Sequence, residues 1–285
     1  MLPGFVIGLR EGIEASLIVG IVATFLVKAG RRDALRPTWI GVAIAILLCT
    51  GVAVALEAVN SQLPQREQER FETVVAVVAV VLVSSMIVWM CRHARSLRGS
   101  LEASVSEALA SGSALALVVM AFFAVLREGL ETAVFLVAVF QHASNPLLSG
   151  GGALLGIAAS IAIGYGIYRG GVHLNLARFF RITSLLLVLV AAGLISSALH
   201  TANEGGWLSS LQGQALDISA VVAPGSVRAS LITGMFGLQP QPTVAEVIGW
   251  LAFALPMTLY VLWPARHSGR GGRSVRRPAT DGIPA

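Results

Sequence analysis

The sequence predicts an all-α polytopic membrane protein: seven transmembrane helices, two inverted three-helix repeats plus a seventh helix. Three observations carry this prediction. Of 285 residues, 55% are hydrophobic and only 12% charged, about half the charged fraction of a soluble domain. Apolar runs of the length that crosses a bilayer recur along the whole chain. A charged seven-residue motif appears twice, 117 residues apart, each time inside such a run.

Composition also excludes much. A mean hydropathy of +0.79 rules out a disordered chain, and two cysteines cannot form a secreted disulfide scaffold. The pI of about 10.0 suggests a nucleic-acid partner. However, the basic residues sit in short segments between apolar runs, which is a membrane pattern, so no nucleic acid is expected. Arg10 lies inside the first apolar run rather than ahead of it, so a cleaved signal peptide is not expected.

A spanning helix needs about 20 mostly apolar residues. The seven runs are Leu2–Val27, Thr38–Val59, Thr73–Met90, Ala114–Phe140, Gly150–Tyr168, Ile182–Leu199 and Val247–Trp263. Trp39, Trp89, Tyr168 and Trp263 fall at their ends, where amphipathic rings prefer to sit. Alternate connections carry fifteen basic residues; the opposite side carries only Arg66, Arg70 and Arg228. The positive-inside rule then places the C-terminus in the cytoplasm and the N-terminus outside, which requires an odd number of spans. The outer side holds Glu57, Glu67, Glu69, Glu72, Glu204, Asp217 and Glu246, a net charge of −4 that would concentrate cations.

The repeat sets the organisation. Leu9-Arg10-Glu11-Gly12-Ile13-Glu14-Ala15 in span one returns as Leu126-Arg127-Glu128-Gly129-Leu130-Glu131-Thr132 in span four. Three spans per unit make the second unit enter the bilayer from the opposite face, the plan of inverted-repeat transporters with a site near the midplane. The predicted layout is a first repeat over 1–91, a cytoplasmic connector over 92–113, and a second repeat over 114–200. An extracytoplasmic loop over 201–246, a seventh helix over 247–264 and a basic cytoplasmic tail over 265–285 follow. Gly4, Gly8 and Gly12, and likewise Gly152, Gly156, Ser160 and Gly164, form small-residue stripes that let helix backbones approach.

The repeated motif carries the chemistry. Each ionised side chain near a helix centre opposes insertion by roughly 2.5–3.5 kcal/mol. Six sit in two spans: Arg10, Glu11, Glu14, Arg127, Glu128 and Glu131. Stability alone does not favour this, so these residues are functional candidates. Glu11 and Glu14, three apart, share a helix face, and Arg10 can reach Glu14 one turn on. Glu128, Glu131 and Arg127 repeat the arrangement. Gly12 and Gly129 remove bulk beside the carboxylates, which would let the two motif helices close on each other. Four carboxylates against two guanidiniums leave a deficit that a multivalent cation can fill, and an all-oxygen set suits a hard one. The opposing reading is a pair of ion pairs that fasten the bundle. It leaves Glu11 and Glu128 without partners, and a half-paired buried network is costly.

Arg-Glu-Gly-Ile-Glu and Arg-Glu-Gly-Leu-Glu, one in each half of a seven-span chain, resemble the oxidase-dependent iron permeases of fungi and bacteria. The resemblance extends to Arg98-Gly99-Ser100-Leu101-Glu102 and to Pro242-Thr243-Val244-Ala245-Glu246-Val247-Ile248-Gly249-Trp250. It implies iron-handling roles for Glu11, Glu14, Glu128 and Glu131, with Arg10 and Arg127 as supporting ion pairs. It further implies import of iron as Fe³⁺ after oxidation of Fe²⁺, across a bacterial inner membrane. The implied partners are a periplasmic haem peroxidase and an iron-binding protein. Iron is then cargo, and no permanently bound cofactor is expected. No phosphate loop or redox cofactor site is evident, so the chain reads as neither an ATPase nor an enzyme. The alternatives are a transporter of Mn²⁺ or Pb²⁺, or a membrane anchor for a periplasmic iron-oxidising complex.

Secondary candidates complete the reading. His200 and Glu204, four apart at the outer end of span six, and Asp217 in the following loop, are candidates to receive a cation before it crosses. Glu57 reads as interfacial, and Met86 and Met90 as core filler rather than a soft-metal track. His142 reads as solvated in a short outer loop. His93, His173 and His267 read as headgroup contacts. Leu97, Leu101, Val105 and Leu109 suggest an amphipathic helix on the cytoplasmic leaflet.

Overall fold

The computed structural model describes residues 1–93, 114–143, 145–168, 175–208, 211, 213–215, 237 and 241–263. The basic tail, the connector helix suggested by Leu97 to Leu109, His173 and Asp217 lie outside the described residues. The described residues form seven long helices: α1 Leu2–Lys28, α2 Leu35–Gln62, α3 Gln65–His93, α4 Ala114–Gln141, α5 Pro146–Tyr168, α6 Leu176–Glu204 and α7 Val244–Leu262. A single 3-10 turn, Arg32–Ala34, precedes α2. Among the described residues there is no strand, only one isolated bridge between Gln214 and Thr243.

Each predicted span corresponds to one helix, and most helices run past the apolar core. The α3 helix begins at Gln65 rather than Thr73, because its first two turns hold Arg66, Glu67, Glu69, Arg70 and Glu72. Backbone hydrogen bonding continues through a polar stretch that hydropathy cannot register. Five helices (α2, α3, α5, α6, α7) are long and apolar enough to cross a membrane by composition alone. The other two, α1 and α4, carry the charged motif.

Helix direction follows from which ends meet. Gly4, Gly8, Gly12 and Ser16 of α1 face Ser149, Ala153, Ser160 and Gly164 of α5 in the same order, so α1 and α5 run parallel. Gly41 of α2 faces Phe122 of α4, and Cys49 faces Gly129, so α2 and α4 are parallel as well. The α1 and α4 helices are antiparallel: Val22 and Leu26 cluster with Leu117 and Ala121. So are α3 and α6, whose Thr73 and Thr201 hydroxyls meet at 2.7 Å. Consequently Met1 and Trp263 lie at opposite ends of the bundle.

The small-residue stripes lie where α1 and α5 touch. A Cβ added to Gly4 would lie 2.6 Å from the Ser149 carbonyl oxygen, and one on Gly8 2.5 Å from that of Ala153. Backbone-to-backbone packing of this kind replaces the hydrophobic drive that lipid cannot supply. The main core lies between α3, α4 and α6 around Ile87, Phe135 and Leu187, each fully buried. Met86 is buried there and Met90 is buried one turn further along α3, as filler requires.

Three expectations change. Gly12 and Gly129 do not bring the motif helices onto each other. Gly12 lets α1 approach Ser160 of α5, and Gly129 lets α4 approach Cys49 of α2. The reason is rotational, since the glycine lies about 100° around the helix from the preceding glutamate. His142 is not solvated: its Nδ1 lies 2.9 Å from the Ala138 carbonyl and its Nε2 is shielded from solvent. The two motif arginines, equivalent in sequence, differ in burial.

Candidate metal centre

The α1 and α4 helices position the site. Both stay helical across their charges because Arg and Glu have good helix propensity and the intrahelical ladder satisfies every backbone group in lipid. The one flexible residue in each motif, Gly12 or Gly129, is held by the close packing just described. Arg10 has no exposed surface, and Glu11, Glu14 and Glu128 are all buried.

The geometry joins the two halves. Glu11 of α1 and Glu128 and Glu131 of α4 each present a carboxylate oxygen, and the three oxygens lie within 4.8 Å of one another. This spacing suits a shared cation, and without one the like charges repel strongly in a low-dielectric interior. Glu14 stands beside the trio rather than in it, with its Oε1 3.5 Å from Arg10 Nε. Arg127 Nε donates to Glu131 Oε1 at 3.0 Å. Both carboxylate oxygens of Glu11 and one of Glu128 are buried without a hydrogen-bond partner. Buried acceptors of this kind are expensive unless a ligand satisfies them.

The site is not symmetric. The Arg10 side chain is enclosed, whereas that of Arg127 is 63% exposed. A cavity of about 780 Å³ between α1, α2, α4 and α5 reaches Glu11 and Glu128. Its walls are mainly apolar, with Trp39 and Tyr165 among them and Ser16, Thr50 and Thr132 as sparse polar groups.

A second polar cluster occupies the end of the bundle where α6 stops and α7 starts. His200 Nδ1 lies 3.1 Å from Glu246 Oε1, and His200 Nε2 lies 3.5 Å from Glu204 Oε1. Glu69 of α3 reaches the Glu204 carboxyl group. Beside them Asn60 donates to Glu72 at 3.1 Å. Glu57 is exposed in the last turns of α2. Sequence reading found His200 and Glu204 because they are one turn apart. It missed Glu246, which is 46 positions away and in the sequence is only one of several outer acids. The clearest signal was local: Thr243-Val-Ala-Glu246 reads as a helix start, and Thr243 Oγ1 does accept from the Glu246 amide at 3.3 Å. The Glu246 side chain turns to His200 instead of back to the cap.

Comparison with known proteins gives a consistent result. The profile of the iron permease FTR1 family matches residues 1–269. A protein of Escherichia coli O6:K15:H31 (strain 536), named ferrous iron permease EfeU, is 41% identical over 280 residues, covering 96% of this chain and all of its own. One of Yersinia pestis with the same name is 39% identical over 282 residues, covering 97% of this chain and 99% of its own. A relative in Escherichia coli K12, 40% identical over 280 residues and covering 96% of this chain and all of its own, is named a putative inactive ferrous iron permease. No solved structure matches this chain.

Proposed function

The chain belongs to the iron permease FTR1 family, a membrane-spanning helical permease rather than an enzyme, and on that premise we propose that iron crosses through the Glu11–Glu128–Glu131 centre. The single observation that carries this is the convergence of three carboxylate oxygens from two antiparallel helices, with buried acceptors left open. Ion and acceptors match in hardness, since an all-carboxylate set favours Fe³⁺ over softer ions. Glu14, tied to Arg10 beside the trio, is available to take over the ion as it moves. Oxidation of Fe²⁺ before it reaches this centre, by a periplasmic haem peroxidase working with an iron-binding protein, is part of the same reading.

The inverted repeat is proposed on three supports. The motif helices run antiparallel, and each packs in parallel against the second helix of the other half: α1 on α5, α4 on α2. In each of these contacts the motif glycine, Gly12 or Gly129, is the residue that faces the second helix of the other half, at Ser160 or Cys49. We place the end bearing His200 outside and the tail in the cytoplasm, following the arginine-rich connections. His200 and Glu204 then stand at the outer mouth, with Asp217 as a further candidate.

Iron uptake into proteoliposomes tests the reading. Replacing Glu11 and Glu128 by Gln keeps shape and removes both charges. Uptake should fall by more than about tenfold, the lower range for disturbing a metal's surroundings. Uptake that survives unchanged would leave the anchor reading. Loss of uptake to excess Mn²⁺ but not to excess unlabelled iron would make iron the wrong cargo.

A further inference from the structure

We propose that His200, Glu204 and Glu69 form a second cation site at the outer mouth, one that takes a borderline divalent ion, with Glu246 as its positioning residue. The argument begins with Glu246, whose side chain is 3% exposed and which, among the described residues, forms its ion pair with His200 alone. A buried carboxylate 3.1 Å from Nδ1 fixes the imidazole with its proton on that nitrogen. Nε2 is then the nitrogen left to hold either a second proton or a metal ion. It faces not a donor but the Glu204 carboxylate, 3.5 Å away. Glu204 also meets Glu69, a third acceptor. An imidazole nitrogen 3.5 Å from a carboxylate that itself meets a second carboxylate needs a cation or a proton between them.

The arrangement is the carboxylate–histidine pair that metal sites use to orient an imidazole, with the ligand nitrogen aimed away from the supporting acid. Among the described residues, the two nearby arginines are directed elsewhere. Arg70 donates to the Gly205 carbonyl at 3.0 Å and to Glu67 at 2.8 Å, and Arg66 also points at Gly205. The His200 and Glu204 side chains are 32% and 48% exposed, so an ion from solution can reach them. An ion held between Nε2 and Glu204 completes its set with Glu69, which already meets Glu204. Mixed nitrogen and oxygen donors suit Fe²⁺, Co²⁺, Ni²⁺ or Zn²⁺, whereas the deep all-carboxylate centre suits a harder ion. The two sites therefore differ in chemistry as well as in depth.

This site deepens the transport reading, and Co²⁺ separates the two because its visible spectrum reports nitrogen coordination without any transport. The full chain in detergent is titrated with Co²⁺ after Glu11→Gln and Glu128→Gln have removed the deep centre. One Co²⁺ should still bind, and His200→Gln should abolish its nitrogen-sensitive bands. Glu246→Gln should weaken binding by about 10- to 100-fold, and Glu246→Asp should recover part of it. No Co²⁺ bound after removal of the deep centre, or bands indifferent to His200→Gln, overturns the proposal. Wild-type protein that binds Co²⁺ through His200 yet accumulates no iron in vesicles would instead count against transport and leave this site standing.

Discussion

At the residue scale, the six charges within α1 and α4 do different work despite their repeated spelling. Glu11 and Glu128 face each other across the helix pair, while Glu14 leans on Arg10. Arg10 is wholly buried, so replacing it with Ala strands the Glu14 carboxylate in the interior. Breaking a buried pair from one side costs about 3–5 kcal/mol. Arg127→Ala should cost clearly less if the open side of that side chain faces water rather than lipid. Thermal unfolding of both variants in the same detergent checks this; equal losses would mean that the burial difference has no energetic weight. His200 illustrates the same point at the mouth. Its spacing to Glu204 was visible in one helical turn, but its orientation depends on a carboxylate delivered by a different helix.

At the scale of the element, close approach of helix pairs is the main device, and its two forms predict different responses to one added methyl group. On Gly8 the methyl meets a backbone carbonyl, which cannot move aside. On Gly129 it meets the Cys49 sulfur at 2.6 Å, which can be removed. Gly8→Ala and Gly129→Ala should each destabilise by about 1–3 kcal/mol. Adding Cys49→Ala should recover part of the second loss and none of the first. A double-mutant cycle on unfolding free energies measures the coupling. Each helix was legible from sequence, since hydropathy located all seven. Their true ends were not: α3 gains two polar turns because it packs on α6 beyond the apolar zone, where Arg66 and Arg70 reach the carbonyl at Gly205.

At the scale of the whole molecule, alternating helix direction puts Met1 and Trp263 at opposite ends, as an odd number of crossings requires. With Cys49 and Cys91 replaced, a single cysteine introduced at Ser274 should react with a membrane-impermeant reagent only when the cytoplasmic face is open to it. Labelling from the outer face of intact cells would invert the orientation proposed here. Since the moving ion carries positive charge, an inside-negative potential should drive it inward. Each charge gains roughly 2.3 kcal/mol per 100 mV, up to about 50-fold in the accumulation ratio. Proteoliposomes with an imposed potassium diffusion potential measure this, and uptake that is indifferent to its sign would rule out net charge movement.

The sequence alone determined that the chain is a helical membrane protein, where its seven long helices lie, and that two of them carry a duplicated acidic motif. These are local properties: hydropathy summed over about 20 residues and spacing within one helical turn decide them. Only the tertiary structure decided which glutamates meet, that Gly12 and Gly129 face the second helix of the opposite half, and that Glu246 stands behind His200. Those outcomes depend on the rotation and depth of one helix against another. Side-chain packing sets both, through contacts between residues far apart in the chain that no periodicity records.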